Sequence, residues 1–324
     1  MKKRIFSKVL LTVTACMTMA TAAAQAYPNK AIKWVVGYPA GGGSDMVARV
    51  LAEKLQKELG QPIVIENKPG ATTLLAAQMV AGSPADGYTL FSPDNGTLIN
   101  NPAMFKKLSY DPVADFDPVT MIVKIPMVLV AHPSFPAADI NEFITLVKNN
   151  PGKYTYASPG KGTPHHLAME LFKSRAGLEV PDAAYRGGAP ATQDVLANQL
   201  PFMVLDISTA AQHIKAGKLK AYAVMQGSRL DSFPDVPAIA EAGFKDLDVY
   251  AWQGVVVPAG TPKTIIDTLN TGLIKAIENP DTQTRLRAAG METLTSTPQA
   301  YAEKIKTESA LWQPFIKELN IQLD

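Results

Sequence analysis

The chain has 324 residues, of which 47% are hydrophobic and 19% are charged, so it is long enough to bury the cores of two α/β domains. Its net charge is +2, and without the four basic residues of the first eight positions 27 basic residues stand against 29 acidic ones. This balance gives no support to a nucleic-acid-binding surface. Cys16 is the only cysteine, and a chain that starts after it can form neither a disulfide nor a thiolate metal site.

Residues 1–26 are typical of a secretory signal peptide. The chain starts with basic residues, continues through an apolar stretch at 9–24 and reaches the small-residue triplet Ala24-Gln25-Ala26, which fits a cleavage site. We therefore expect an exported protein whose mature chain starts at Tyr27. The sequence Val13-Thr14-Ala15-Cys16 leaves an alternative, a lipoprotein that is acylated at Cys16 and attached to a membrane.

Strand and helix patterns alternate in the first hundred residues, as in a mainly parallel sheet covered by helices. The predicted strands are 32–36, 63–66 and 88–91, and the predicted helices are 45–59 and 73–80. In the first helix, Val47, Val50, Leu51 and Leu55 recur on one face, and Gly60 is a stop signal.

A second alternation of strands and helices follows, and the chain ends in helices. Strands are predicted at 154–157, 183–185, 202–205 and 221–224, and helices at 139–149, 164–176, 189–197, 209–216, 262–278, 281–289 and 298–319. The fold class is therefore α/β.

Two apolar segments, 119–131 and 249–257, are placed where the chain can cross between two lobes. Pro126 interrupts the first segment, and proline is tolerated poorly inside a sheet but suits a hinge. We expect lobe 1 to comprise residues 27–124 and 251–324, and lobe 2 to comprise residues 125–250. A cleft between them at the carboxyl ends of strands is the expected binding place.

The strongest local motif is Tyr38-Pro39-Ala40-Gly41-Gly42-Gly43-Ser44-Asp45, directly between the first strand and the first helix. Glycines allow a tight turn with outward amides, and the helix start favours an anion. The motif lacks the lysine of a phosphate-binding loop and the glycine order of a dinucleotide fold. The alternative is a plain turn capped by Ser44 or Asp45; we expect Asp45 to satisfy loop amides from behind.

A similar strand–turn–helix motif occurs at 157–166, with the sequence Ala-Ser-Pro-Gly-Lys-Gly-Thr-Pro-His-His. Ser158 and Thr163 offer hydroxyls, Gly162 offers an amide, and Thr163 is suited to cap the helix. Adjacent histidines point about 100° apart on a helix, which excludes a metal pair of the i, i+4 type. His166 is either structural or part of the cleft.

Arg186 and Asp206 follow two further predicted strands. Arg186 is suited to pair with a carboxylate through two hydrogen bonds, although a surface ion pair is its commoner use. Asp206 either caps the next helix or receives a cationic or hydroxyl group of a ligand.

Signatures of the common enzyme classes are absent from the sequence. It has no nucleophile-elbow, zinc-protease, kinase or phosphate-loop motif. A triad of Ser158, His166 and Asp206 requires a geometry that the sequence does not supply, so we expect no catalysis.

The chain as a whole resembles the Bug family of periplasmic solute receptors, the TctC-type proteins of tripartite tricarboxylate transporters. The resemblance rests on short motifs spread over the mature chain: Tyr27-Pro28, 38–42 with Asp45 and Arg49, 65–70, 84–88, 110–112, Ala157-Ser158, Gly162-Thr163, His166-Leu167, 233–237 and 241–243.

This resemblance implies a type II periplasmic binding fold whose two lobes close over a carboxylate, held mainly by main-chain groups and bridging waters. Mapping the family pattern onto this chain gives a set of expected ligand-binding residues: Tyr38, Ala40, Gly41, Gly42, Asp45, Ser92, Asn95, Ser158, Gly162, Thr163, His166, Arg186, Gly188, Ala189 and Asp206. Many members have further glycines and an asparagine after the position of Gly70, whereas this chain has Ala71-Thr72-Thr73, which leaves a contact from that loop without support.

An acid at the position of Asp206 suits members that hold the ammonium group of an amino acid. The resemblance further implies a monomeric receptor that delivers its ligand to integral-membrane transporter subunits, with no cofactor, metal or nucleic acid. A sensor that docks onto a periplasmic signalling domain is the alternative role.

Overall fold

The computed structural model describes residues 27–185 and 187–323. The predicted signal peptide, the acylation alternative at Cys16 and the predicted site residue Arg186 lie outside the described residues.

The strands of the described residues form one mixed sheet. They are β1 (Ile32–Val36), β2 (Ile63–Asn67), β3 (Thr89–Ser92), β4 (Phe116–Ala131), β5 (Tyr156–Ser158), β6 (Asp182–Ala184), β7 (Phe202–Asp206), β8 (Lys220–Val224), β9 (Tyr250–Pro258) and β10 (Glu292–Thr293). The order is β2-β1-β3-β9-β4-β7-β5-β6, and β8 and β10 also pair with β4. β1 is parallel to β2 and β3, and β5 is parallel to β6 and β7, whereas β4 and β9 are antiparallel to their neighbours.

The long strand β4 changes partners in its middle. From Phe116 to Pro126 it pairs with β9, and from Met127 to Ala131 it pairs with β7. The change occurs next to Pro126, the residue at which the sequence predicts a crossing. Two half-sheets are thus joined through one continuous strand.

Helices cover both faces of this sheet. They are α1 (Gly43–Leu59), α2 (Leu74–Ala81), α3 (Asn101–Met104), α4 (Ile140–Lys148), α5 (Pro164–Ala176), α6 (Gly188–Leu196), α7 (Ile207–Lys215), α8 (Lys263–Glu278), α9 (Pro280–Ala288) and α10 (Pro298–Glu318). Short 3₁₀ turns occupy Ala71–Thr73 and Ile239–Ala242, and a π-helical turn occupies Gly96–Asn100. Within the described part of the chain, none of these helices has the length and apolar character needed to span a bilayer. The predicted α/β class is confirmed.

Each half-sheet has a hydrophobic core on both of its faces, because alternate strand residues point to opposite sides. In the first half, Trp34 and Val36 pack under α1 and α8, while Val35 packs with Phe91 and Trp252 on the other face. The second half has two corresponding cores, one around Leu129 and Phe143 and one around Val130 and Met203. Each large buried side chain stabilises the fold by about 1.5–3 kcal/mol.

A smaller apolar cluster joins the two halves along one edge. It contains Met104 of α3, Leu167 of α5, Ile316 of α10 and Ile321. Because α3 and α5 belong to different half-sheets, this cluster ties them together opposite β4.

Four helices begin earlier than the sequence predicts. α1 begins at Gly43, α6 at Gly188, α7 at Ile207 and α9 at Pro280, whereas starts at 45, 189, 209 and 281 are predicted. For α7 the consequence is chemical, since β7 runs directly into the helix and Asp206 becomes its N-cap residue.

Candidate functional site

Several helices begin where strands of the two half-sheets end. α1 follows β1 in the first half, while α5, α6 and α7 follow β5, β6 and β7 in the second. Helix N-termini have unpaired amides and a positive dipole end. Strand carboxyl ends are also where open α/β sheets bind ligands.

Hydrogen bonds to the side chains of Asp45 and Asn67 support the turn between β1 and α1, residues 37–42. The carboxylate of Asp45, which is 3% exposed, accepts hydrogen bonds from the Gly41 amide at 2.9 Å and from Arg49 Nε at 2.8 Å. Asn67 Nδ2 donates to Asp45 Oδ1 and to the Tyr38 carbonyl, both at 3.0 Å. The hydrogen bond from Arg49, with those from Gly41 and Asn67, lowers the pKa of Asp45 despite its burial. The expectation that Asp45 satisfies loop amides is confirmed.

The front of the same turn is exposed and its helix is uncapped. Ala40, Gly41 and Gly42 are exposed, and Gly41 has φ +82°, a conformation that glycine adopts at little cost. Gly42 is the N-cap residue of α1 and has no side chain to occupy the first amides. This helix start is therefore free to receive an anion.

Two helices of the second half-sheet are also uncapped at this edge. The N-cap residue of α6 is Gly187, and that of α7 is Asp206, whose side chain makes no capping bond within the described chain. Of the two roles open to Asp206 in the sequence, the cap is thus not adopted. Gly188 and Ala189, both predicted as binding residues, form the first turn of α6 and lie at or near the surface.

The turn between β5 and α5, residues 158–163, instead satisfies its own polar groups. Ser158 Oγ is 3.2 Å from both the amide and the carbonyl of Gly160. Thr163 Oγ1 donates to the Gly160 carbonyl at 2.8 Å and accepts from the His166 amide at 3.3 Å. Thr163 therefore caps α5, as the sequence predicts.

The two histidines of α5 point in different directions. His165 Nε2 is 2.9 Å from Asp206 Oδ1, while His166 Nδ1 accepts the Gly162 amide at 3.4 Å. The ring nitrogen of His165 has no aligned hydrogen-bond partner among the described atoms, so its attraction to Asp206 is mainly that of opposite charges. Burial lowers the pKa of His165, but the carboxylate of Asp206 outweighs this effect and leaves the pKa above its usual value. For His166, burial keeps the pKa below its usual value.

Tyr38 links the first half-sheet electrostatically to Asp206. Its hydroxyl donates to Asp94 Oδ2, and Asp94 Oδ1 accepts from the amide and the hydroxyl of Thr97. Burial, the charge of Asp94 and the charge of Asp206 all raise the pKa of Tyr38 well above its usual value. The pKa of Tyr38 is thus raised by carboxylates from both half-sheets.

Direct contacts also bring the two half-sheets together around this edge. Asn100 Nδ2 donates to the Gly162 carbonyl at 3.3 Å. A Cβ atom on Gly290 would lie 2.9 Å from Ser208 Cα, at the start of α7, and one on Gly43, at the start of α1, would lie 3.2 Å from the methyl group of Met291. The N-termini of α1 and α7 therefore both lie close to the adjacent residues Gly290 and Met291.

Two predicted site residues are occupied by internal contacts. Ser92 Oγ accepts the indole N–H of Trp34 at 3.0 Å, and Asn95 Nδ2 donates to the Tyr250 carbonyl at 3.3 Å. Both side chains are buried.

Sequence reasoning missed His165 and Asp94. The spacing of the adjacent histidines already implied that only one of them faces a given side of α5. Asp94 follows β3 with no motif around it, and no sequence signal identifies it.

The geometry supports neither a catalytic triad nor a metal centre. Asp206 faces His165, whereas His166 contacts Gly162 and Ser158 contacts Gly160. Across residues 27–185 and 187–323, no group of three or more His, Cys, Asp or Glu side chains is arranged to hold a metal ion.

Related proteins match the sequence of this chain over nearly its whole length. Residues 47–321 match the family described as tripartite tricarboxylate transporter family receptor. The chain is 33% identical over 321 residues to a UPF0065 protein encoded between tcbD and tcbE in Pseudomonas sp. (strain P51), covering 99% of this chain and 95% of that protein. It is 30% identical over 321 residues to the protein BugT of Bordetella pertussis (strain Tohama I / ATCC BAA-589 / NCTC 13251), covering 99% and 98%.

Solved structures of similar proteins superpose on most of this chain. The periplasmic binding protein BugD superposes with a TM-score of 0.79 at 33% identity, covering 92% of this chain and 100% of that one. Rpa4515 of R. palustris with adipate gives a TM-score of 0.82 at 30% identity, with the same coverage. MatC of Rhodopseudomonas palustris with bound malate gives 0.78 at 33% identity, covering 90% and 100%. On its fold and on matches across almost its full length, the chain belongs to the tripartite tricarboxylate transporter receptor family of periplasmic solute-binding proteins.

Proposed function

We propose that this protein is a periplasmic receptor that captures a small carboxylate by closing two lobes over it and delivers it to a membrane transporter of the tripartite tricarboxylate type. Lobe 1 comprises residues 27–124 and 251–324, and lobe 2 comprises residues 125–250. The lobes move about Pro126 and Tyr250.

One observation carries the proposal. Helices α1 and α7, from different half-sheets, both begin near the adjacent residues Gly290 and Met291, and α1, α6 and α7 have no capping side chain among the described residues. Such amides satisfy a carboxylate without a cationic side chain. The bound states of two relatives support the same class, since one carries adipate and the other malate.

Closure follows from the distribution of these donors. A carboxylate that reaches amides of α1 alone leaves those of α6 and α7 to water, and it contacts all three sets only when the lobes approach. Burying the anion without these partners would cost free energy, so ligand and closure stabilise each other.

We assign the contacting residues to both lobes. The first turn supplies Ala40, Gly41 and Gly42, with Tyr38 beside it and Asp45 as its support. The second lobe supplies Ser158, Gly162, Thr163, the first residues of α6 and Asp206. We add Arg186, which precedes the N-cap residue of α6 in sequence.

Calorimetric titration tests the proposal directly. Protein unfolded and refolded to release bound ligand is titrated with mono- and dicarboxylates, citrate, aspartate, glutamate and nicotinate. We expect stoichiometric binding of at least one compound, and native mass spectrometry of freshly purified protein should show a carboxylate of that class. Heat from none of them, together with a ligand-free mass, contradicts the carboxylate assignment.

Delivery and export have separate tests. Deleting the gene should abolish uptake of the identified ligand, and uptake should return with the full-length gene; unchanged uptake contradicts the transport role. N-terminal sequencing of the periplasmic fraction should give Tyr27. An acylated Cys16 at the N-terminus would instead establish the lipoprotein alternative.

A further inference from the structure

We propose that His165 is a built-in counter-ion for Asp206, and that this pair makes the site favour an anionic or hydroxyl group of the ligand over an ammonium group. The inference rests on the proposed carboxylate-binding function and concerns the second polar group of the ligand. It reverses the expectation that an acid at position 206 holds the ammonium of an amino acid.

The positions of the two side chains carry the first step. Asp206 ends β7 and is the N-cap residue of α7, yet its carboxylate is used for His165, 2.9 Å away, and not for the helix. The side chains are 27% and 15% exposed, respectively. A carboxylate that already has an adjacent cation in a partly buried place needs no ammonium from a ligand.

The remaining charges around the pair carry the second step. From lobe 1, Tyr38 faces Asp206, and its hydroxyl is committed to Asp94. The charged groups near the far side of α5, namely Lys161, Glu170, Lys173 and Asp182, act on His166. Among the described residues, Asp206 is the charged group that acts on His165.

The helix termini add to the same preference. The His165–Asp206 pair has no net charge when His165 is protonated, whereas the N-termini of α1, α6 and α7 contribute positive potential. An ammonium group would approach an imidazolium and the positive end of α7, whose N-cap residue is Asp206. A second carboxylate or a hydroxyl group would meet amides and an imidazolium that can donate to it.

The direction of the pH dependence follows. The pKa of His165 is raised above its usual value by Asp206, so the imidazolium persists to higher pH than that of an ordinary histidine. As pH rises through that pKa, His165 loses its charge and Asp206 loses its counter-ion. The affinity for a ligand with a second anionic group then falls, and the preference against an ammonium group weakens.

Matched ligand pairs test this preference. The probes are succinate against L-aspartate, glutarate against L-glutamate, and adipate against L-2-aminoadipate, which differ only by the amino group, with L-malate as the hydroxyl counterpart of L-aspartate. At pH 6 we expect the member without the amino group to bind at least tenfold more tightly in any pair that binds. The ratio should narrow at pH 8.5.

Substitutions of His165 and Asp206 test whether the ligand preference depends on these two side chains. His165→Gln should reduce the ratio about tenfold and remove its pH dependence. Asp206→Asn removes the group that raises the pKa of His165, so it should remove the pH dependence as well. His213→Gln, at the opposite end of α7, is the matched control and should leave both unchanged. Circular dichroism and thermal unfolding establish that each variant is folded.

The outcomes separate the two proposals. Binding by no probe and by no carboxylate of the wider panel overturns the proposed function and this inference with it. Equal or tighter binding of the amino members overturns the inference alone. A ratio and a pH profile that His165→Gln leaves unchanged also overturn it.

Discussion

The first turn, residues 37–42, and the second turn, residues 158–163, both join a strand to a helix through glycines, but they use their polar groups differently. The first is supported from behind by Asp45 and Asn67, and its helix start is left open. The second is closed by Ser158 and by Thr163, which caps its helix. One turn presents main-chain donors, and the other fixes its own shape.

This difference indicates a division of roles between the lobes. Under the proposed function, the first turn provides amides that accept a carboxylate. The second turn fixes the start of α5 and so directs His165 toward Asp206. The two side chains that we propose to choose among carboxylates, His165 and Asp206, thus both belong to lobe 2.

The largest expected effect comes from distorting the first turn. Gly41→Val places a β-branched residue at φ +82°, which costs about 1–2 kcal/mol and displaces the amides next to it. We expect calorimetry to show an affinity loss of about 100-fold or more, with the unfolding profile still cooperative.

Gly60→Val is the matched control. Gly60 has φ +65° at the other end of α1, with open space around its Cβ position. It carries a similar backbone cost, but its affinity should remain that of the wild type. Equal affinities of the two variants would contradict a binding role for the first turn.

Removing the support behind the first turn should mainly affect stability. Asp45→Ala leaves the Gly41 amide and Asn67 without their buried acceptor, which should lower the free energy of unfolding by about 2–3 kcal/mol. Urea unfolding measures this loss. Asp267→Ala, which removes an exposed ion pair with Lys263, should change stability far less, and comparable losses would contradict the buried-support interpretation.

The same variant has a pH signature. The pKa of Asp45 is lowered from 3.8, so the ionised carboxylate stabilises the fold above that pH, and its contribution disappears as pH falls through the lowered pKa. Asp45→Ala should therefore lose less stability than the wild type between pH 4 and the acid transition, as followed by urea unfolding at each pH.

Removing the cap of the second turn should have a smaller effect. Thr163→Ala loses the acceptor for the His166 amide, which should cost about 1 kcal/mol of stability. Thr163→Ser keeps a hydroxyl and should lie close to the wild type. A greater affinity loss than that of Gly41→Val would show that the second turn is the main anion site.

Much of the fold follows from sequence patterns, whereas the division of roles does not. The periodic burial of Val47, Leu51 and Leu55 and the stop at Gly60 predict α1, and Pro126 predicts where β4 changes partners. The early starts of α1 and α7 were missed because glycines and a strand end carry no helix signal, although tertiary packing makes them helical.

The positions of the two strand-to-helix turns follow from the sequence, because glycines after a strand allow a tight turn. Gly41 and Gly162 suggest that both turns leave their amides open to a ligand. Capping, however, depends on which side chain reaches which amide, and this is not visible in the sequence. The pairing of His165 with Asp206 joins residues of different strands and helices. Without three-dimensional coordinates, the sequence indicates only that one histidine faces away from the other.

The smallest effect is expected from adding a helix-capping hydroxyl to the first turn, since the second turn already has one in Thr163. Gly42 is extended, with φ −80° and ψ 173°, so other residues fit its backbone. Gly42→Ser supplies a capping hydroxyl, which should add a few tenths of a kcal/mol to the free energy of unfolding. The hydroxyl then competes with the ligand for an amide of α1, so affinity should fall several-fold.

Gly42→Ala separates competition from bulk, because it adds the Cβ atom without the hydroxyl. A Cβ atom at this position would lie 3.4 Å from the Pro39 carbonyl oxygen in both variants, so any crowding is shared. We expect calorimetry to rank the affinities as wild type, then Gly42→Ala, then Gly42→Ser, while stability is highest for the serine variant. Equal affinities of the two variants would mean that the open helix start is not what the carboxylate uses.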